Sequence, residues 1–356
     1  MDGYKIRLAK SDGDWFYSAQ SDETRSGRED WPEDCEWKHF RTNHQMIPAE
    51  FQPRLRRFCG FVALITLVFG LPLYQWVRYC MAEDLFSYAL LIPFVSGWLV
   101  WQQWKELAFE FRPAVPAVGA LGLLAVGLVG GSFIVSPVTE GGAVSRLGLQ
   151  LLGWIAALNA VAVWQLGGGF MRQILFPAAF LVFLVPLPPA WVHGVEVGLQ
   201  HASAEVSAWF FAWTGASFLR QGLLFQLPNI TLQVAPECSG IRSTLVLFIT
   251  SLIAGYLFLK NPWQRAFFSA LVIPLGIARN AFRIVTIGWL CIEYGPEMIH
   301  SPIHHRGGPV FFGLSLVPLF VLLFVFRRWD RRNRAAREVT VATASTASPE
   351  PAGSRA

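Results

Sequence analysis

From Phe58 onward the chain is a succession of apolar runs separated by short polar, glycine-bearing or proline-bearing links. Each run has the length of about 20 residues that a helix needs to cross a hydrocarbon core of roughly 30 Å. The pattern predicts eight spans, at 58–77, 85–103, 115–133, 147–166, 170–187, 240–259, 266–291 and 309–326. The fourth and fifth are joined by Gly167-Gly168-Gly169, a link so short that the two must form a tight antiparallel pair. The segment 188–239 has a different pattern. Between Trp191 and Trp213, residues His193, Glu196, Gln200, His201 and Glu205 stand among apolar residues at spacings that put several polar groups on one helical face, which predicts a helix lying at the membrane interface. Leu223 to Leu227, then Pro228-Asn229, then Ile230 to Val234 read as a short β-hairpin leading into the sixth span. The fold class expected is an all-α polytopic membrane protein with about eight transmembrane helices, an outer-face interfacial helix and that hairpin.

Both ends are polar. Residues 1–53 show no sustained periodicity and read as a disordered cytoplasmic tail with Trp15, Phe16, Trp31 and Trp37 as local anchors. Residues 54–326 form the transmembrane domain. Residues 327–356, basic and then rich in Ala, Ser, Thr, Glu and Pro, read as a second disordered cytoplasmic tail. No cleavable signal peptide is visible before the first apolar run.

Composition supports this reading: 53% of the residues are hydrophobic and 15% charged, too apolar for an ordinary soluble protein. The net charge of +5 hides an asymmetry that fixes orientation. Arg54, Arg56 and Arg57 precede the first span, Lys105 and Arg112 follow the second, and Arg172 lies between the fourth and fifth. Lys260 and Arg265 join the sixth and seventh, and Arg327, Arg328, Arg331, Arg332 and Arg334 follow the last. Basic residues mark the cytoplasmic side, so both termini are expected there, an even number of spans is required, and 188–239 lies outside. The charge pattern is one of membrane topology, not nucleic-acid binding. Five cysteines, at 35, 59, 80, 238 and 291, show neither CxxC spacing nor a Cys/His framework, so no metal and no cofactor is indicated.

Three polar clusters interrupt the apolar pattern: Ala235-Pro236-Glu237-Cys238-Ser239-Gly240-Ile241-Arg242-Ser243, Ala278-Arg279-Asn280-Ala281-Phe282-Arg283, and His300-Ser301-Pro302-Ile303-His304-His305-Arg306-Gly307-Gly308. Helical rise puts Gly240 about 30 Å from Lys260, and Arg283 about 27 Å from Arg265. With His304 just before the eighth span, all three clusters fall in the outer leaflet. A thiol becomes nucleophilic where a helix N-terminus, a cation or a histidine favours its thiolate. Cys238 has all three within reach, with Ser239 able to cap the following helix. Cys59 and Cys291, inside apolar runs, read instead as small buried hydrophobes. Arg279 and Arg283 share a helical face, with Asn280 beside them. A charge in a bilayer costs at least a few kcal/mol and marks either function or a structural ion pair. Arg283 suits an anionic intermediate, whereas Arg279, nearer mid-membrane, suits pairing with a carbonyl or carboxylate. General acid/base work falls to one of the histidines, with His304 and His305 both open.

On these residues the chain resembles the exosortase/archaeosortase family of membrane cysteine transpeptidase-like proteins. The resemblance runs over most of 80–326 and rests on several ordered segments. These are Asp84-Leu85-Phe86-Ser87-Tyr88 with Pro93, the fifth span from Phe176-Pro177 to Val185-Pro186-Leu187-Pro188, the Cys238-Ser239-Gly240-Ile241-Arg242 segment, Asn280-x-x-Arg283, and His304 four residues before Gly308. It implies Cys238 as nucleophile, Arg283 as the active-site arginine and His304 as the acid/base, with Asn280, Arg279, Ser239 and His305 as possible support. It also implies a substrate class: exported proteins ending in a Pro-Glu-Pro-type motif, a transmembrane helix and a basic end. These would be cleaved at the outer face of the bacterial inner membrane, with hydrolysis or transfer to an acceptor nucleophile. The family's usual Gly-Trp is Gly308-Pro309 here, and the N-terminal tail lies outside the family pattern. Two other classes compete: a transporter or flippase linked to surface polysaccharide, using Arg279 and Arg283 as an anion site, and a non-catalytic assembly factor. Neither accounts for a thiol in a polar setting at a helix start.

Overall fold

The computed structural model describes residues 4–11, 14–21, 38–40, 48–228, 230–234, 239–295, 297–298 and 308–346. Before residue 41 and beyond 332 only the backbone is described. Among the described residues six helices are long and apolar enough to cross a membrane, or up to eight if each of two bent pairs is one span.

The first bent pair is α1 (Gln52–Val68) and α2 (Gly70–Ala82), which meet at 71°. Pro72 lies in the first turn of α2, where it removes a backbone donor and disfavours a continuous helix through Phe69 and Gly70. A 3₁₀ turn, Asp84–Leu91, then leads into α3 (Ile92–Gln103). The next two helices, α4 (Val115–Ser132) and α5 (Glu140–Leu166), pack as an antiparallel pair. Thr139 starts α5 as its N-cap, its Oγ1 accepting the Gly142 N–H at 3.1 Å.

The fifth crossing, expected as one helix over 170–187, is broken into α6 (Gly168–Gln173), α7 (Leu175–Phe180) and a 3₁₀ turn, Leu181–Leu184. Pro177 and Pro186 explain the breaks. Every break in hydrocarbon frees backbone groups that must be satisfied from within the protein, and two neighbours do so. Ser96 Oγ donates to Pro177 O at 2.7 Å, and Trp76 Nε1 donates to Leu184 O at 2.8 Å. The broken segment is anchored at both ends. Its first residues meet the 107–114 link, with Gly168 N donating to Arg112 O at 2.8 Å, while Leu184 reaches the Trp76 end of the bundle.

At Pro188-Pro189 the chain turns through 93° into α8 (Pro189–Trp213), the crosswise orientation expected of an interfacial helix. The expected hairpin is there too, as strands at 224–227 and 230–233, but it belongs to a three-stranded antiparallel sheet. β4 (Leu219–Gln221), β5 (Leu224–Leu227) and β6 (Ile230–Gln233) pair in order.

Beyond the sheet follow α9 (Ile241–Phe258), α10 (Pro262–Ala270), α11 (Val272–Tyr294) and α12 (Gly308–Thr346). Helices α9 and α11 run antiparallel at close range because Gly276 has no side chain: a Cβ there would meet Thr244 Oγ1 at 2.6 Å. At the end of the bundle where α9 finishes, Gln103 Nε2 donates to Tyr256 Oη at 2.6 Å and Phe176 stacks on Tyr256 at 4.0 Å.

Both tails differ from expectation. Strands β1 (Tyr4–Ser11), β2 (Asp14–Ser21) and β3 (Lys38–Phe40) pair antiparallel within the supposedly disordered N-terminal tail. Their basis is a short period-2 alternation, Tyr4, Ile6 and Leu8 against Lys5 and Arg7, with Asp12-Gly13 between the first two strands, a favoured hairpin pair. At the other end, α12 continues through the basic segment to Thr346, since Ala, Arg and Glu are strong helix formers. Trp31 and Trp37, expected as anchors, lie outside the described residues.

Gly276→Ala should therefore lower the unfolding free energy by about 1–3 kcal/mol, the usual cost of overpacking. Thr244→Ala in the same chain should recover part of the loss. Thermal unfolding of the two variants and the double variant in detergent measures this.

Candidate functional site

The link between β6 and α9 carries the candidate thiol. Cys238 itself, like His304 and His305, lies outside the described residues. Its neighbours Ser239 and Gly240 are described, and they locate the segment. Gly240 is the N-cap of α9 and adopts the left-handed conformation, φ +71°, which costs other L-residues about 1–2 kcal/mol. A methyl group added there would come within 3.1 Å of Arg279 Nη2 and of Asn280 Cγ and Oδ1. Glycine is needed twice over: for the turn into α9 and for the approach to α11.

Ser239 is 2% exposed. Its Oγ accepts the Ile241 N–H at 3.4 Å, so it supports the helix start from one position outside the cap, not as the cap itself. The same oxygen donates to Glu196 Oε1 of α8 at 3.5 Å, near the outer limit for a hydrogen bond.

On α11, Arg279 is 9% exposed and Asn280 2%. Asn280 Nδ2 donates to Ser203 Oγ of α8 at 3.0 Å, and Ser203 is fully buried. Arg283 lies one turn further along the helix, half-buried. The sequence spacing that sets Arg279, Asn280 and Arg283 together therefore holds. Three elements, α8, the start of α9 and α11, meet around Asn280 and Arg279.

The polar residues of α8 divide between two faces. Gln200, Ser203 and Ser207 are buried, with Glu196 partly so, at the i, i+4, i+7, i+11 spacing of one helix face. His193, His201 and Glu205 are exposed. Ser203 and Ser207, which the polar pattern passed over, belong to the inward face; small hydroxyl residues among Ala and Val give no charge signal.

The surroundings hold this centre in place. Beyond Asn280, α11 packs Ile284 and Val285 against Phe211 of α8 and against Phe225, Leu227 and Leu232 of the sheet. A Cβ at Gly288 would meet Phe211 Cζ at 2.7 Å. Glu205 and Arg220 join α8 to β4 at 2.7 Å, and the hydrogen bond that Arg220 donates to Glu205 holds its guanidinium above its ordinary pKa. Arg242, in the first turn of α9, pairs with Asp84 at 3.1 Å. Both side chains are largely exposed, so the pair contributes at most about 1 kcal/mol, but it joins two segments distant in sequence. Of the cysteines read as inert, Cys291 is buried and Cys59 is exposed on α1. Cys59 lies on the outside of the bundle because α1 packs only one side against α5. Among the described residues no group of His, Cys, Asp and Glu could hold a metal ion.

Gly240→Ala should destabilise by more than Gly215→Ala. Gly215 has the same left-handed turn, φ +72°, but nothing within 4 Å of an added Cβ. The difference between the two variants in detergent unfolding isolates the Arg279–Asn280 contact and is expected to be about 1–3 kcal/mol.

No curated protein and no solved structure matches the chain. A family model does. Transmembrane exosortase (Exosortase_EpsH) matches residues 76–321, a stretch that runs from α2 into α12 and contains every element built around Asn280. With the polytopic helical fold and the glycine-opened link between α9 and α11, that match over most of the chain shows that it belongs to the transmembrane exosortase family.

Proposed function

We propose that the chain is a thiol-dependent sorting enzyme, a membrane endopeptidase or transpeptidase with Cys238 as nucleophile. Membership in the exosortase family supports a transpeptidase-type sorting role in the membrane. The observation that carries the finer reading is the contact of Gly240 with Arg279 and Asn280. Chain connectivity alone keeps the Cys238 Cα within about 8 Å of the Gly240 Cα, two peptide links away. On this reading the thiol works near the buried Arg279, where preorganised donors act most strongly.

In the proposed cycle the Cys238 thiolate attacks the scissile carbonyl carbon and a C–S bond forms. The carbonyl oxygen takes the negative charge and Arg283 stabilises it, with Arg279 set one turn deeper. Collapse of this intermediate breaks the C–N bond. His304, or its neighbour His305, gives a proton to the departing amine and leaves a thioester. Water or an acceptor amine then attacks the thioester, gives up its proton to the histidine, and restores the thiolate. Asn280 and Ser203 hold the α8–α11 contact, and Ser239 holds the link to α9.

The basic links support a reading in which the Gly240 end of the bundle faces outward and both termini lie in the cytoplasm, with the bacterial inner membrane as the proposed location. A substrate suited to such a site is an exported protein whose C-terminus carries a Pro-Glu-Pro-type motif, an apolar helix and a basic end. That helix would anchor the scissile bond at the depth of Cys238.

The test is co-expression with an exported reporter bearing such a C-terminal signal, followed by mass-resolved analysis of its processing. Cys238→Ala should abolish processing while Cys59→Ala leaves it intact. Arg283→Lys should lower the rate roughly 10²–10³-fold, the loss typical of one oxyanion donor. Comparison of His304→Ala with His305→Ala identifies the acid/base. Continued processing by Cys238→Ala sinks the mechanism, and arginine dependence without thiol dependence would favour an anion transporter.

A further inference from the structure

At the end of the bundle opposite Gly240, a cavity of about 970 Å³ opens between α4, α5 and the broken fifth crossing. We propose that it is a binding site for one anionic phospholipid of the cytoplasmic leaflet, with an acyl chain in the cavity and the phosphate at Arg172. This proposal is independent of the sorting chemistry.

The cavity follows from the breaks in the fifth crossing. A continuous helix over 168–184 would pack along α5, but α6, α7 and the 3₁₀ turn change direction at each junction and leave the space open. Its walls are mostly apolar, formed by Leu121, Ile155, Val163, Met171 and Val182, with Asn159 of α5 among them, its Nδ2 donating to Ile155 O at 2.8 Å. Its mouth is built by close backbone packing. Gly167, at φ +87°, would place a Cβ 2.8 Å from Arg112 N, and one at Gly168 would meet Ala114 Cβ at 2.8 Å. Gln173 further fastens the mouth, its Oε1 accepting Ala108 N–H at 2.8 Å and its Nε2 donating to Ala108 O at 3.0 Å.

Depth and charge choose the occupant. From Leu166 at the mouth to Ile155 is about 16 Å along α5, half of a hydrocarbon core of roughly 30 Å and hence the reach of one leaflet. A transmembrane helix, which must traverse the whole core, is not matched by a cavity of that depth. The mouth carries Arg112, Glu110 and Arg172. Arg112 is paired with Glu110 at 2.9 Å, so Arg172 gives the mouth its net positive charge. Arg54 adds to it from α1, its guanidinium 3.6 Å from the Phe111 ring centroid beside Arg112. An apolar cavity one leaflet deep with a cationic rim complements a phosphodiester headgroup on an acyl chain. It opposes the basic end of a sorting-signal helix. Anionic lipid is also abundant on the cytoplasmic side, where basic links place this end.

The test uses the full chain purified in detergent, delipidated and titrated with phosphatidylglycerol or phosphatidylethanolamine under native mass spectrometry. Wild type should retain phosphatidylglycerol in preference. Arg172→Gln should lower that preference about five-fold, the factor one juxtamembrane cation contributes. Ala178→Phe, which fills the cavity without changing charge, should reduce retention of both lipids, with its unfolding temperature measured alongside. Arg146→Gln, at the far end of α5, should change nothing. Equal retention of the two lipids by wild type overturns the proposal, as does a preference that survives both cavity variants. A photocrosslinker at Ala178 that captures the helix of a co-expressed sorting signal, with no lipid retained, assigns the cavity to substrate instead and also overturns it.

Discussion

The Gly240 end of this molecule depends on one close approach, the glycine start of α9 against Arg279 and Asn280 of α11. Two facts make that contact demanding. A guanidinium in hydrocarbon costs at least a few kcal/mol unless it finds polar company, and Asn280 must satisfy an amide in the same dry volume. Helix α8 supplies Ser203 for the amide. The turn at Gly240 supplies backbone unobstructed by a side chain, at a conformation other residues resist. The remaining outer architecture serves to hold α8 and the α9 start in these positions. The three-stranded sheet and Phe211 pack on the outer stretch of α11, and the Pro188-Pro189 corner turns α8 across the bundle end.

The broken fifth crossing shows the same rule in apolar surroundings. Pro177 and Pro186 remove donors and misdirect the helix, and the exposed carbonyls at Pro177 and Leu184 are taken by Ser96 and Trp76. Those two side chains belong to α3 and α2, so the break also fastens three crossings together. A straight helix would need no such bonds and would leave no cavity at the opposite end.

Much of this was legible in the chain. Spans follow from hydropathy because a helix in lipid has a fixed minimum length, and the crosswise α8 follows from polar residues recurring on a run too mixed to cross. The pairing of Arg279, Asn280 and Arg283 follows from helical spacing alone. What could not be read is any partner that spacing does not bring near. Ser203 and Asn280 are 77 residues apart, and a serine among alanines announces nothing. β4 escaped because three residues, Leu219-Arg220-Gln221, carry too short an alternation to register. The N-terminal strands escaped because charge content outweighed a period-2 pattern that needed its Asp12-Gly13 link to be noticed. The Pro breaks were visible as residues; their consequence, a crossing in three pieces, depended on which neighbours could take the freed carbonyls.

The depth of the Asn280 centre constrains what chemistry it can serve. Asn280 stands about 23 Å along the helix from Arg265, short of the roughly 30 Å of a hydrocarbon core, and α11 continues about 21 Å further beneath α8 and the sheet. The centre is thus roofed by protein as well as surrounded by lipid. A freely soluble peptide would have to leave water and pass this roof to reach it, losing hydration of every backbone amide. A peptide already carried on an apolar helix has made most of that transfer when it inserts, and needs to unwind only the few residues that meet the α9 start. On the proposed sorting reading, this architecture suits a substrate that brings its own membrane anchor, as a C-terminal sorting signal with an apolar helix would.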